Sequence, residues 1–535
     1  MTAIPCPARA SRAPWAAALG LAGALLGAPS ASAQVAPLPE LAPGPFPVAM
    51  WDWDFGTMNT THPSTGANLN VEHFGRIFYP TDGSGGALPP AAAGPLPLVV
   101  YGHGRFHTAP FIGVNHEGAD YLMAHLASWG IVASSVNLDV VGSFGSPAAI
   151  PQRGDIFLET VQRTLDLANQ PGSPPAGLAS AIDATRIGLA GHSRGGEGVI
   201  DALVKNAAAG NVFPILAATT ISPTDFESYT APADVPYLGI YGSKDGDVNN
   251  GWPIFVHDRS AAEEKGFQNI HGANHFWFTE DITCSCEGNA DISRALHHEI
   301  AKGYLGGFLI RKLITAPTES SAVFCHGPEM EPLTSQVPIQ PMYQDVDRFL
   351  IDDFESNQQL DLTSEGMAAL ATHIVNFEVD LNDTSKTYYH LTRSFLGAWA
   401  ASTPGAWAAL IDPAGFDATP WTHFSAKFAQ RQNSPANTPG QEQDVLLGLV
   451  DTDFDIALVN LSSFGQIPWP PNHPGSGPFG PNFPIKTVLR TTRVPLDAFT
   501  GANPNLDLDS ILYAGWISGV TPVGEVQFDD VEFTN

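Results

Sequence analysis

The run Gly191-His192-Ser193-Arg194-Gly195 sets a serine between two glycines. An apolar stretch over 187–191 precedes it, and a helix-compatible stretch follows. That context fits a sharp strand-to-helix turn: the glycines remove side-chain clashes, and Ser193 stands at a helix N-terminus, where the dipole favours developing negative charge. The bland alternative is a glycine-rich structural turn. A serine hydroxyl is a poor nucleophile alone; it needs a base, and the base needs an acid to orient it. Downstream, the apolar strand Pro236-Tyr237-Leu238-Gly239-Ile240-Tyr241-Gly242 runs into Ser243-Lys244-Asp245-Gly246-Asp247. Asp245 is the expected acid and Asp247 the runner-up, against turn-forming or calcium-ligating roles for both. Further on comes Gly272-Ala273-Asn274-His275-Phe276, after the last strand-like run of this region. His275 is the expected base; His271 competes, and a core or surface role is the structural alternative.

Nucleophilic attack on a carbonyl creates an oxyanion that needs backbone N–H donors. One is expected from Arg194, directly after the nucleophile. The other is expected from the loop that ends Leu98-Val99-Val100-Tyr101-Gly102-His103-Gly104-Arg105-Phe106, at the amide of Arg105 with Phe106 next. The alternative is that His103 and Gly104 only shape a turn. Arg194 and Glu197, three apart at the start of a helix, are spaced to pair. Phe106, Phe111, Phe276, Trp277 and Phe278 flank these positions; Phe106 and Trp277 are the candidates for lining a substrate cleft, with core packing as the alternative for each.

These residues require a frame. Short apolar runs over 75–79, 98–102, 131–137, 187–191, 215–221, 237–241 and 267–270 alternate with helical patterns over 116–129, 157–169, 197–206 and 291–314. Near-continuous apolar strands separated by helices predict a mostly parallel sheet covered on both faces. Over 327–345 four prolines, Pro328, Pro332, Pro338 and Pro341, sit in a polar stretch without periodicity, which reads as a linker. From 346 to 535 the pattern changes to short strands and turns over 372–381, 407–411, 421–429, 445–450, 456–461, 487–494, 512–518 and 526–534, predicting an antiparallel β-sandwich. Asp451-Thr452-Asp453-Phe454-Asp455 lies between two of these runs and reads as a hairpin turn.

Gross composition narrows the class. With 535 residues the chain is too long for one ordinary core. A net charge of -30 argues against nucleic acid as partner. Arg9 and Arg12, an apolar run over 15–27 and Ala31-Ser32-Ala33 read as a secretory signal over residues 1–33, cleaved after Ala33, so the protein is expected outside the cell or in the periplasm. The run is shorter than the ~20 residues a membrane span needs, and no later segment is long and apolar enough to span. After cleavage Cys284, Cys286 and Cys325 remain, so one disulfide is expected, Cys325 with Cys284 or Cys286; a Cys-x-Cys metal site lacks partners at zinc spacing. His298-Glu299 begins like a zinc-protease motif but has Lys302 where the second histidine belongs, and no phosphate-binding P-loop is present.

The constellation resembles the α/β-hydrolase superfamily: a mostly parallel sheet flanked by helices, with nucleophile, acid and histidine in that chain order. Within it, Phe78-Tyr79-Pro80, Tyr101-Gly102-His103-Gly104, Tyr121 to Val132, Gly191-His192-Ser193-Arg194-Gly195-Gly196, Asp245 and His275 resemble the branch holding chlorophyllases, platelet-activating-factor acetylhydrolases, dienelactone-hydrolase-like proteins and cutinase-like polyester hydrolases. The match covers about 70–315, inside a catalytic domain expected over 34–326. It implies a serine hydrolase of carboxylic esters, small or polymeric, with no cofactor for catalysis; the alternatives are cleavage of amide or lactone bonds, and a surface or polysaccharide-binding protein whose hydrolase domain is a non-catalytic scaffold. The polyester hydrolases carry an aromatic residue where this chain has Arg105. The C-terminal region is similar to galactose-binding-like jelly rolls, which open and close with motifs like Phe349-Leu350-Ile351-Asp352-Asp353-Phe354-Glu355 and Val526-Gln527-Phe528-Asp529-Asp530-Val531-Glu532-Phe533. That resemblance implies polysaccharide binding and a structural calcium held by the acidic residues of those motifs.

Overall fold

The computed structural model describes residues 35–83, 94–104, 115–142, 149–249, 251–280, 290–316, 320–356, 359–380, 390–400, 404–431, 434–470 and 487–535. The expected signal, residues 1–33, lies outside them, as do Arg105, Phe106, Phe111, Cys284 and Cys286. The chain divides into two compact units, one spanning Val35–Val346 and the other beginning at Asp347.

The first unit is mixed α/β, built on a nine-stranded sheet. Its strands are β1 (Val48–Thr61), β2 (Asn68–Pro80), β3 (Leu96–Gly102), β4 (Val132–Val136), β5 (Ile182–His192), β6 (Ile215–Ile221), β7 (Tyr237–Gly242), β8 (Lys265–Ile270) and β9 (Ile339–Gln344), in the spatial order β1-β2-β4-β3-β5-β6-β7-β8-β9. The block from β4 to β8 is parallel; β1, β2 and β9 run antiparallel to their neighbours. Helices α1 (Asp120–Ser128), α2 (Ile150–Leu165), α3 (Arg194–Ala208), α4 (Trp252–Arg259) and α5 (Arg294–Ala301) connect or flank the strands.

Strand β3 shows why the sheet is covered on both faces. Leu98 and Val100 join a core with Ile156 and Phe157 of α2 and Val199 and Leu203 of α3. Val99 and Tyr101 point the other way, into a core with Leu122 and Leu126 of α1 and Ile300 of α5. Alternate side chains of one apolar strand thus feed two cores, which is why its sequence carries no polar face. By contrast, β1 alternates buried and exposed residues, as an outer antiparallel strand does.

The stretch expected as a linker is folded. Its residues form the helical turns Pro328–Met330 and Glu331–Thr334 and then strand β9, paired along β8 from Lys265↔Gln344 to Ile270↔Ile339. Proline cannot donate to a ladder but is tolerated on an edge strand, so Pro341 marks an edge here and not a break. Asn269 Nδ2 donates to Gln340 Oε1 at 2.8 Å across this pair.

The second unit holds two antiparallel sheets. One contains β10 (Arg348–Asp352), β12 (Val375–Asp380), β13 (Arg393–Trp399), β15 (His423–Gln430), β18 (Arg490–Pro495) and β20 (Gly524–Thr534); the other contains β11 (Ala369–Thr372), β14 (Ala406–Leu410), β16 (Leu446–Asp451), β17 (Ile456–Asn460) and β19 (Ile511–Ile517). They share a core around Phe528, whose ring lies 4.8 Å from Phe395 of its own sheet and 4.9 and 5.3 Å from Trp407 and Trp516 of the other. The expected hairpin joins β16 to β17, with Asp451 Oδ1 accepting from the amides of Asp453 and Asp455. Of the carboxylates named for calcium, Asp352 and Asp353 accept from local amides and Ser364, Asp529 accepts from the Asp530 amide, and Asp530 pairs with Lys427. Among the described residues, no three His, Cys, Asp or Glu side chains are grouped to hold a metal, and no helix is long and apolar enough to cross a membrane.

Buried titratable groups give the units opposite pH responses. In the first, burial holds His73 down to about 3 and His125 and His297 down to about 4. The unfolded chain binds protons at these sites below ~6.5 while the fold does not, so stability falls as pH drops toward 4, by about 1.4 kcal/mol per pH unit per histidine. Asp120 and Asp201, raised to about 6 by burial, act in the other direction and are fewer. In the second unit burial raises Asp352 to about 6 and pushes Asp529 and Glu532 upward, so folding favours proton uptake and stability rises as pH falls from 7. Hydrogen exchange at pH 7 and 5 is expected to show easier opening of the first unit at pH 5 and no such loss in the second; parallel shifts in both would contradict this. Truncating Phe528 to Ala is expected to cost about 3–5 kcal/mol in denaturant titration.

Candidate active site

Parallel register brings the ends of the central strands level. Gly102 lies opposite Gly191, His192 opposite Ile221, and Gly242 opposite Ile270. The loops leaving these ends carry His103-Gly104, Ser193, Asp245 and, past β8, His275. Carboxyl ends of parallel strands are where open α/β sheets bind ligands.

Ser193 occupies the single position between β5 and α3, with φ 56° and ψ −125°. A non-glycine residue at positive φ is strained, and such strain persists only where the surroundings hold it. The Ser193 amide donates to Ile221 O at 2.8 Å, and its carbonyl accepts from Glu197 and Thr224 amides at 3.2 Å each. The turn closes only with glycines beside it: a Cβ on Gly191 would strike the Gly195 carbonyl, and one on Gly195 would strike the Gly102 carbonyl.

His275 Nδ1 and Asp245 Oδ2 are 2.7 Å apart, and both side chains have no exposed surface. Asp245 Oδ1 accepts from the amides of Asp247 and Val248 at 3.0 and 2.7 Å. The carboxylate accepts, so the proton of the neutral imidazole sits on Nδ1, and Nε2 is the basic nitrogen. The runner-up acid is in the same cluster but on the opposite side of the ring: Asp247 Oδ2 lies 3.5 Å from His275 Nε2. His271 sits in the strand-end turn, its amide donating to Pro338 O. Against the His275 ring, 4.5 Å away between centroids, rests His192, the residue before Ser193. Burial, and then the charges of His275 and His103, push the His192 imidazole well below its ordinary value.

The loop after β3 approaches the serine closely. A Cβ built on Gly104 would lie 2.8 Å from Ser193 Cβ and 3.3 Å from its Oγ, so no side chain fits there without displacement. His103 staples this loop. Its Nε2 accepts from the Leu138 amide at 2.8 Å, so Nδ1 carries the proton and donates to Gly104 O at 2.8 Å. Arg153 of α2, fully buried, donates to His103 O and Gly104 O at 3.3 and 3.5 Å. Burial and the Arg153 charge keep His103 neutral.

Arg194 opens α3, but its guanidinium lies 5.3 Å over the Phe226 ring and not on Glu197. Glu197 is buried and accepts from Thr224 Oγ1 and the Glu227 amide at 2.7 Å each, because the loop after β6 offers fixed donors within the core. Trp277, half-buried in the turn after His275, sits edge-on to His297 at 5.7 Å. Phe226 and Trp252, 4.7 Å apart, form an aromatic pair beside Arg194 that sequence reasoning missed, since one lies in the loop after β6 and the other at the start of the short helix α4, outside the expected elements. Arg153 was missed because it precedes the helical pattern expected over 157–169, whereas the helix begins at Ile150. Cys325 Sγ accepts from Gln268 Nε2 at 3.0 Å.

No family model matches the sequence, and it matches no curated protein.

The site combines a strained serine at a helix N-terminus with a buried imidazole oriented by a carboxylate. Gly104→Ala is expected to slow labelling of Ser193 by a fluorophosphonate about 100-fold, as the added methyl displaces the loop from the serine. An unchanged rate in a folded variant would show that the close packing is unimportant.

Proposed function

We propose that this chain is a secreted serine hydrolase that cleaves carboxylic esters through an acyl-enzyme. The observation that carries the reading is the fully buried 2.7 Å pair of His275 and Asp245 at the sheet edge that also bears Ser193. Strand order, the helix following Ser193 and the chain order of serine, acid and histidine support an α/β-hydrolase fold for the first unit. The shared core of two antiparallel sheets supports a β-sandwich of galactose-binding-like type for the second, with a polysaccharide as its partner.

In this reading His275 Nε2 removes the Ser193 hydroxyl proton as Oγ attacks the ester carbonyl. Asp245 holds the ring and stabilises the imidazolium that forms. The oxyanion is met by the Arg194 amide and by the loop beyond Gly104, for which Arg105 is the assigned donor. His275 then protonates the leaving alcohol, and water, activated by the same nitrogen, releases the acid. Of the residues flanking the site, Phe106 and Trp277 are the ones assigned to the substrate cleft. The chemistry calls for no cofactor.

Hydrolysis of p-nitrophenyl esters from acetate to palmitate tests this. Ser193→Ala is expected to abolish turnover, and Asp245→Asn to lower kcat about 10³–10⁴-fold, because the imidazole loses its orienting acceptor. Full activity in Ser193→Ala, or none in the wild type on any ester, would overturn the reading.

A further inference from the structure

Asp247 sits where the reaction just described gives it a further consequence. Its Oδ2 is 3.5 Å from His275 Nε2, beyond hydrogen-bond length but within charge contact, and its side chain is 41% exposed. Asp245, the orienting acid, is bound to the other ring nitrogen. The neighbouring cation Lys244 is engaged by Asp291, and Arg194 lies over Phe226. The backbone turn that fixes Asp245 also fixes Asp247, whose amide donates to Asp245 Oδ1 at 3.0 Å.

When the tetrahedral intermediate collapses, the bond between acyl carbon and leaving oxygen breaks. Its electron pair goes to that oxygen, and the proton on His275 Nε2 moves to it; the acyl group stays on Ser193 Oγ. The leaving oxygen must therefore come within about 3 Å of Nε2. The first atoms of the alcohol portion then lie within a few ångströms of the Asp247 carboxylate. A charge on that portion meets a fixed negative charge at a site partly open to solvent.

We infer that Asp247 is a specificity-determining residue on the leaving-group side of the site, selecting esters of cationic alcohols over esters of anionic ones. This rests on the serine-esterase reading. At a separation of about 6 Å, with screening by solvent, one charge changes discrimination about tenfold. The chain's net charge of -30 also favours cationic substrates, but that diffuse field does not depend on a single side chain.

The test is kcat/KM for the acetate esters of choline, neohexyl alcohol and glycolate, which carry a positive, no and a negative charge on matched leaving groups. Full-length wild type, Asp247→Asn and Asp247→Glu are compared at low ionic strength. The cation-to-anion ratio is expected to fall about tenfold in Asp247→Asn, to be retained in Asp247→Glu, and to shrink in wild type as salt is raised. An equal ratio in wild type and Asp247→Asn, including an equal loss on all three esters, would overturn the assignment while leaving the esterase reading intact. Hydrolysis that survives Ser193→Ala would instead overturn the reading on which it rests.

Discussion

Asp245 is a carboxylate with no exposed surface, and the turn after β7 is shaped by the need to satisfy it. Burying an unpaired carboxylate is costly, and donors on both sides satisfy this one. Two backbone amides take one oxygen and His275 takes the other. The imidazole is thereby oriented with its basic nitrogen away from the acid. The same turn brings Asp247 back toward that basic nitrogen, so orientation of the ring and the charge beside it have one structural origin.

The pair would be idle without a partner on the neighbouring strands. Parallel pairing sets the ends of β3, β5, β6, β7 and β8 level, and the loops leaving them converge on one edge. Ser193 is held at positive φ there by bonds to β6 and to the loop beyond it. The strain is of order 1–3 kcal/mol and is offset by that anchoring. From the other side, the His103-Gly104 loop is pinned by Leu138 and Arg153. The site is thus braced by four separate connections of one sheet, which suits a fixed arrangement of donors better than a mobile loop would.

Much of this was legible in the sequence, because its signals are local. A serine between glycines after an apolar strand, a carboxylate just past another strand and a histidine past a third each stand out within a few residues. The strands of the parallel block were legible for the same reason: covered on both faces, they are apolar throughout. What was not legible depends on distant contacts. Strand β9 was hidden by prolines that break a central strand but not an edge. Strands β11 and β13 carry less continuous apolar runs and emerge only through their partners. Arg153 lies ahead of the helical pattern at 157–169, and its role emerges only when α2 is seen to begin at Ile150 and to reach the loop after β3. The choice between Asp245 and Asp247 turned on which nitrogen each carboxylate meets, a distinction two positions in sequence cannot express.

The central claim is that Ser193 becomes transiently acylated. The direct measurement is rapid quenching of the enzyme with p-nitrophenyl acetate, followed by proteolysis and mass spectrometry. The account predicts an acetyl group on the peptide bearing Ser193, appearing with the burst of nitrophenol and lost again as the ester is exhausted. Turnover with no acetyl-serine at that position, or acetylation confined to another residue, would contradict it.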